Sequence, residues 1–257
     1  RVAYTCDLVD ILSGILPEGD IGTVSTVPGC YGKRVPGAVF DNLLLMARYL
    51  SCLERETGRR IVLCLEPEPD CCMDDLASTR LFFDRLFDRA PNLARYIGVC
   101  LDCCHAAVAF ESPFKWYCEL TASGVAVPKI QVSAAVRMNT IVNDRERILS
   151  PFLDNVYLHQ TRIRNMERTY RFTDLDQALC SGVGGEWRIH FHVPLTWRHD
   201  VLSSTAGLIE PELLLHAVGN YCHLEVETYS LACIPGETVP LEESIASELE
   251  WVMRYFK

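Results

Sequence analysis

The sequence predicts an α/β protein built on a parallel sheet in one domain, and three observations predict it. Short β-rich runs, most of them ending in polar residues, alternate with segments of helical periodicity, the pattern of βα units. The length, 257 residues, suits one barrel domain over residues 1–257. No internal repeat, low-complexity tract or long linker marks a second domain.

The predicted strands are residues 21–27, 61–66, 97–102, 129–133, 188–193 and 223–228. Between the first two, residues 37–57 carry Leu44, Ala47, Leu50 and Leu53 at helical spacing. Residues 74–88 do the same with Leu76, Leu81, Phe82 and Leu86, and a last helix is predicted over 241–256. Residues 155–175 break the alternation. There 156–160 and 169–172 read as two strands joined by a polar turn, an inserted β-hairpin. Without it six strands remain where a closed barrel has eight, so either two strands are missing or the sheet is open.

Composition narrows the function. At 49% hydrophobic and 23% charged residues the chain is not disordered. A net charge of −10 opposes a partner held through phosphates, which leaves a small-molecule substrate and no nucleic acid. Thirteen cysteines, an odd number set mostly in apolar runs such as 61–65, read as reduced thiols of a cytoplasmic protein. No apolar stretch reaches the roughly 18 residues of a membrane span, and residues 1–10 lack the pattern of a signal peptide, so no stable membrane insertion is expected.

The chemistry is expected at strand ends. Glu66 closes an apolar strand just before Pro67, which places its carboxylate at the C-terminal rim, the active face of a barrel. Asp102 ends the next strand, with His105 three residues on; the competing role for Asp102 is a helix N-cap. Cys100 and Cys103 form a C-x-x-C pair without a second pair, too little for a zinc knuckle. Lys129, Gln131 and Ser133 share one face of a strand; Arg188, His190 and His192 share another, as do His223, Glu225 and Glu227.

Three polar inward faces are costly as plain core, because each buried ionisable group without a partner costs several kcal/mol. A shared ligand removes that cost. Glu66, Asp102 and Glu227 with the Gln131 amide oxygen make a hard, oxygen-rich set that favours Mn²⁺ or Mg²⁺, with Zn²⁺ admitted if histidines join. The competing reading is a plug of salt bridges involving Lys129 and Arg188. His159, His199 and His216 read as surface or core residues, and the basic run Arg162, Arg164, Arg168, Arg171 as a solvated hairpin face.

These residues resemble a family. Leu65-Glu66-Pro67, the run from Gly98 to His105, Gln131 and Val226-Glu227 are similar to the xylose-isomerase-like TIM barrels, which include sugar-phosphate isomerases and epimerases and endonuclease IV. The resemblance implies a divalent metal on Glu66, Asp102, Gln131 and Glu227, with His105 facing the substrate or a second metal. Within that superfamily the chain is similar to the EboE metabolite traffic family. The stretches that carry this are 23–28, 64–69, 158–160, 190–195 and 226–229. Members of that family are longer at the N-terminus, so the resemblance implies a (β/α)₈ barrel that lacks its first two strands, as a chain starting at Arg1 also suggests.

The implied function is a metal-dependent isomerase or epimerase acting on a small hydroxy-carbonyl metabolite. Glu66 and Glu227 would serve as base and acid, His105 and His192 would orient hydroxyls, and His190 and Lys129 would face the substrate. Other proteins of the same trafficking pathway are the implied partners. The alternative is a metabolite-binding carrier on the same fold, which binds without turnover. An abasic-site nuclease is disfavoured by Gln131, which stands where that branch has a histidine, and by the acidic charge.

Overall fold

The structure, a computed structural model, describes residues 1–139, 144–154, 156–236 and 238–256. Residue 155, where the predicted hairpin begins, and residue 257, the end of the predicted domain, lie outside the described residues. The elements in order begin α1 (Val2–Ile15), β1 (Ile21–Thr26), α2 (Gly37–Thr57), β2 (Arg60–Leu65), α3 (Leu76–Arg89) and β3 (Ile97–Asp102). Next come α4 (Cys103–Val108), α5 (Pro113–Ala122), β4 (Lys129–Val132), β5 (Ala134–Met138), α6 (Arg145–Leu149), β6 (Thr161–Asn165) and β7 (Arg168–Phe172). The chain continues through α7 (Leu175–Cys180), β8 (Glu186–Val193), β9 (Ser203–Ser204), α8 (Pro211–Gly219), β10 (His223–Val226) and α9 (Leu241–Met253). No helix among the described residues is long and apolar enough to cross a membrane.

The chain forms two compact units, the first made of 1–101, 116–130 and 220–223, the second of 102–115, 131–219 and 224–257. Unit 1 is a parallel sheet with helices packed on it. Its strands run in the order β1-β2-β3-β4-β10, the last two through their first residues, and β1 pairs in parallel with β2 from Ile21↔Arg60 to Thr26↔Leu65. The sheet is curled: from edge strand β1, Thr23 Oγ1 meets His223 Nδ1 at 2.8 Å, and Ser25 Oγ accepts from Lys129 Nζ at 3.2 Å.

Local chemistry explains the elements of unit 1. Strand β2 is buried from Ile61 to Leu65, as a parallel strand covered on both faces should be. Helix α2 ends at Gly58, whose φ of 72° is the left-handed conformation glycine adopts without strain, and its N–H returns to Glu54 O at 2.8 Å. Asp75 caps α3 by accepting from Ser78 N at 2.9 Å, and the Ser78 hydroxyl accepts from Asp75 N, a reciprocal capping box. At Gly98 a Cβ would lie 2.8 Å from Ala126 O, so only glycine allows this approach to β3.

Unit 2 holds an antiparallel sheet in the order β7-β6-β8-β5-β9. The inserted hairpin is there, as β6 and β7, but its first arm is 161–165 rather than 156–160. The apolar Val156 and Leu158 that suggested the earlier start are exposed, whereas Ile163 on β6 is fully buried. A second difference concerns β8. Residues 188–193 were expected as the fifth of six parallel strands, yet β8 runs antiparallel to both β5 and β6. The cause is that β5 starts one residue after β4 with no helix between them, so the chain departs from the βα rhythm at Ser133. The β5–β8 register slips between Ala135 and Val136, a bulge opposite the stretch that carries the histidines.

Candidate metal and substrate site

The polar cluster of unit 2 starts at Asp102, the last residue of β3. Its carboxylate caps α4 by accepting from His105 N at 2.7 Å through Oδ1, and it accepts from Ser133 Oγ at 2.8 Å through Oδ2. Ser133 Oγ in turn accepts from Cys104 N at 2.9 Å. The N-cap role for Asp102 is therefore present. It leaves the histidine to be accounted for: His105 Nδ1 stands 3.8 Å from Asp102 Oδ1, and its Nε2 is 2.9 Å from His190 Nε2.

Strand β8 brings the other histidines. Alternation turns Arg188, His190 and His192 to one side, and all three are buried. Arg188 is structural: it pairs with Glu186 at 2.9 Å, donates to Ala107 O at 2.7 Å and lies over the Phe110 ring. His190 Nδ1 bonds Gln160 Oε1 at 2.7 Å, which makes Nδ1 the protonated nitrogen and leaves a lone pair on Nε2. His192 Nδ1 faces Glu227 O at 3.4 Å, and its Nε2 is buried with no hydrogen-bond partner. An unmet polar atom at a fully buried residue costs about 1–3 kcal/mol, so this one calls for a ligand.

Glu227 follows β10 and adds a second carboxyl beside Asp102, with Oε2 buried and without a hydrogen-bond partner. Burial, and next the charge of Asp102, push Glu227 up to about 8. Burial pushes Asp102 up to about 6, against the pull of the donors around it. Near neutrality the pair therefore holds one proton between two carboxyls. Burial lowers His192 to about 4 and His190 well below the usual imidazole range, so both rings are neutral.

Among the described residues of unit 2, two sets of donors are close enough to hold an ion: Asp102, His105 and His192, and Cys104, His190 and His192, with the ligand atoms of each set within 4.8 Å of one another. Gln131 is buried on β4 in the same unit. Glu66 and Lys129 belong to unit 1. There Glu66 is half-buried directly after β2 and donates its N–H to Thr26 O at 2.9 Å; Lys129 is buried and donates to Ser25.

Several residues around the cluster were not legible as part of it. His159 is fully buried, with Nδ1 3.2 Å from His190 O and Nε2 2.7 Å from Asp154 Oδ2, so it braces the strand that carries His190. Gln160 fixes the tautomer of His190, and Glu248 on α9 accepts from Leu195 N and Thr228 Oγ1 at 3.0 Å. Glu248 gives no sequence signal because it stands among the other acids of α9. Cys104 gives no sequence signal, because its thiol belongs to no C-x-x-C pair. His199 and His216 are exposed, as expected, whereas Arg162 of the basic run is buried and donates to Phe172 O at 3.2 Å.

A curled parallel sheet with helices on it and ionisable residues at its strand ends is an α/β fold. Comparison with solved structures agrees on that fold. The chain is similar to the probable 3-DHS dehydratase AsbF, involved in petrobactin synthesis, from Bacillus anthracis, with a TM-score of 0.50 and 11% identity over 98% of this chain and 69% of that one. A xylose isomerase domain containing protein from Salmonella typhimurium LT2 matches with a TM-score of 0.42 and 13% identity over the same shares. No protein-family model and no curated protein matches the sequence.

Proposed function

We propose that the chain is a divalent-metal-dependent isomerase- or epimerase-like enzyme acting on a small hydroxy-carbonyl metabolite. The observation that carries this reading is the buried Asp102–Glu227 carboxyl pair, one proton between them, beside a neutral His192 whose Nε2 has no partner. Such a set fits a cation, which would replace the shared proton and meet the unmatched acceptors. Asp102, Gln131 and Glu227 would hold it, joined by Glu66 on the strength of the resemblance to xylose-isomerase-like barrels. Oxygen donors of this kind favour Mn²⁺ or Mg²⁺. The chemistry such an ion supplies is Lewis-acid polarisation of a carbonyl oxygen.

The residues of the chain do the rest. A carboxyl held near 8 gives up and takes back a proton close to neutral pH, which suits Glu227 to move a proton at the carbon next to a carbonyl. His105, rooted at the start of α4, would orient a hydroxyl. A cavity of about 240 Å³ reaches Glu227 along Thr228, Tyr229, Leu241 and Glu248, room for a small metabolite or part of one. The similarity to EboE adds a metabolite-trafficking setting and partners from that pathway. The fold shared with a probable dehydratase adds loss of water to the reactions worth assaying, since it too begins by taking that proton.

The test is proton exchange. Metal-loaded protein incubated in D₂O with aldoses, ketoses and their phosphates should place deuterium next to the carbonyl of one of them, and Glu227→Gln should slow this by about 10²–10⁴-fold. Binding of a sugar from the panel with no exchange and no isomerisation would overturn the enzyme reading in favour of a carrier.

A further inference from the structure

Two cysteines of unit 1 have no part in the carboxylate-centred reading. The loop after β1 and the loop after β2 meet there in a short antiparallel pairing. Tyr31 is bridged to Cys71, Gly32 N donates to Asp70 O at 2.8 Å, and Cys72 N donates to Cys30 O at 3.0 Å. One step along each segment from the Tyr31–Cys71 bridge, Cys30 stands directly opposite Cys72. We infer that Cys30 and Cys72 form a site of reversible thiol–disulfide exchange that takes a low-molecular-weight disulfide as its reactant and ties the two loops together. The proposal goes beyond the carboxylate-centred reading and stands without it.

The backbone already has the separation the bond needs. Residues opposed through a ladder hydrogen bond have Cα atoms about 5.5 Å apart, inside the roughly 4.4–6.8 Å that a disulfide spans. The side chains are turned to each other as well: the Cys72 sulfur is in hydrogen-bond contact with the Cys30 thiol and accepts from the Cys30 N–H. Lys33 holds the two loops in this register by pairing with the buried Asp74 and donating to Cys71 O at 3.4 Å. Cys71 is excluded as the partner. Alternation turns its side chain the other way, where Sγ donates to Glu68 Oε2 at 3.9 Å.

Exposure sets the order of events. Cys30 is half-buried and Cys72 is buried, and burial pushes the Cys72 thiol up, so Cys30 reacts first. As thiolate it attacks one sulfur of the small disulfide, forms a mixed disulfide and expels one thiolate. Cys72 then gives its proton to solvent and attacks the Cys30 sulfur, which expels the second thiolate. The protein dithiol and the small disulfide thus become a protein disulfide and two small thiols, with two electrons passed to the reagent. A bond that includes a half-exposed Cys30 stays open to attack by thiols, which makes the closure reversible.

Equilibrating the full chain with mixtures of oxidised and reduced glutathione, then alkylating the remaining thiols and mapping peptides by mass spectrometry, tests the site. The expected product is a disulfide joining the peptides of Cys30 and Cys72, reopened by excess dithiothreitol. Cys72→Ser should stop at a glutathione adduct on Cys30, whereas Cys71→Ser should close the bond as the wild type does. The oxidised wild type should unfold at higher urea concentration than the reduced one, a shift absent from Cys72→Ser. Glutathione retained on Cys30 of the wild type, a bond from Cys30 to Cys71 instead of Cys72, or both thiols still free in oxidised glutathione would overturn the inference.

Discussion

Glu227 and Asp102 set the pH behaviour of the metal-free protein. Both carboxyls are raised by burial, Glu227 from 4.5 to about 8 and Asp102 from 3.8 to about 6. An acid whose folded pKa exceeds its unfolded one binds more protons when folded, so its contribution is full below the unfolded value and is lost as pH rises through the folded one. Metal-free protein should therefore lose stability between about pH 4.5 and 8, most of it through Glu227. Urea unfolding of wild type and Glu227→Gln at pH 5 and pH 8.5 checks this: the decline should be markedly smaller in the variant. Equal declines would show that Glu227 is not the titrating group.

Helix α9 and the segments around the site show how elements hold it in place. Glu248 binds Leu195 N, just beyond the end of β8, and Thr228, next to Glu227. Glu248→Ala leaves the buried Leu195 N–H unmet and should cost about 1–3 kcal/mol by chemical denaturation, with metal affinity falling alongside. Asp75→Ala, which removes the cap of α3 in unit 1, should cost about 1 kcal/mol and leave metal affinity alone.

The elements also show what the sequence reveals. The strands of the parallel sheet were legible because each is a short apolar run between helical segments, and Asp102, His105 and Glu227 because polar residues close those runs. The antiparallel course of β8 was not, because nothing in the strand predicted at 129–133 shows that the chain goes straight on into β5 at Ala134 without a helix. His159, Gln160 and Glu248 escaped because their work is to hold other residues, and a bracing residue carries no pattern of its own.

For the whole molecule, a net charge of −10 makes a cation a welcome ligand and polyanions poor ones. A metal that binds only the folded chain should raise stability by about 2.7 kcal/mol at a hundredfold excess over its Kd, and chelation should reverse the rise in thermal midpoint. Because the ion must displace the proton of Glu227, affinity should rise about tenfold per pH unit from pH 6 toward 8 and then level off. His192, neutral above about 4, adds nothing to that slope.

The central claim is that the buried carboxyl pair is a cation site. Titrating chelator-treated protein with Mn²⁺ at pH 8, with free ion followed by electron paramagnetic resonance, tests it most directly. The account predicts one tightly bound Mn²⁺ per wild-type chain and none in Glu227→Gln. Stoichiometric Mn²⁺ in the variant, or none in the wild type, would contradict it.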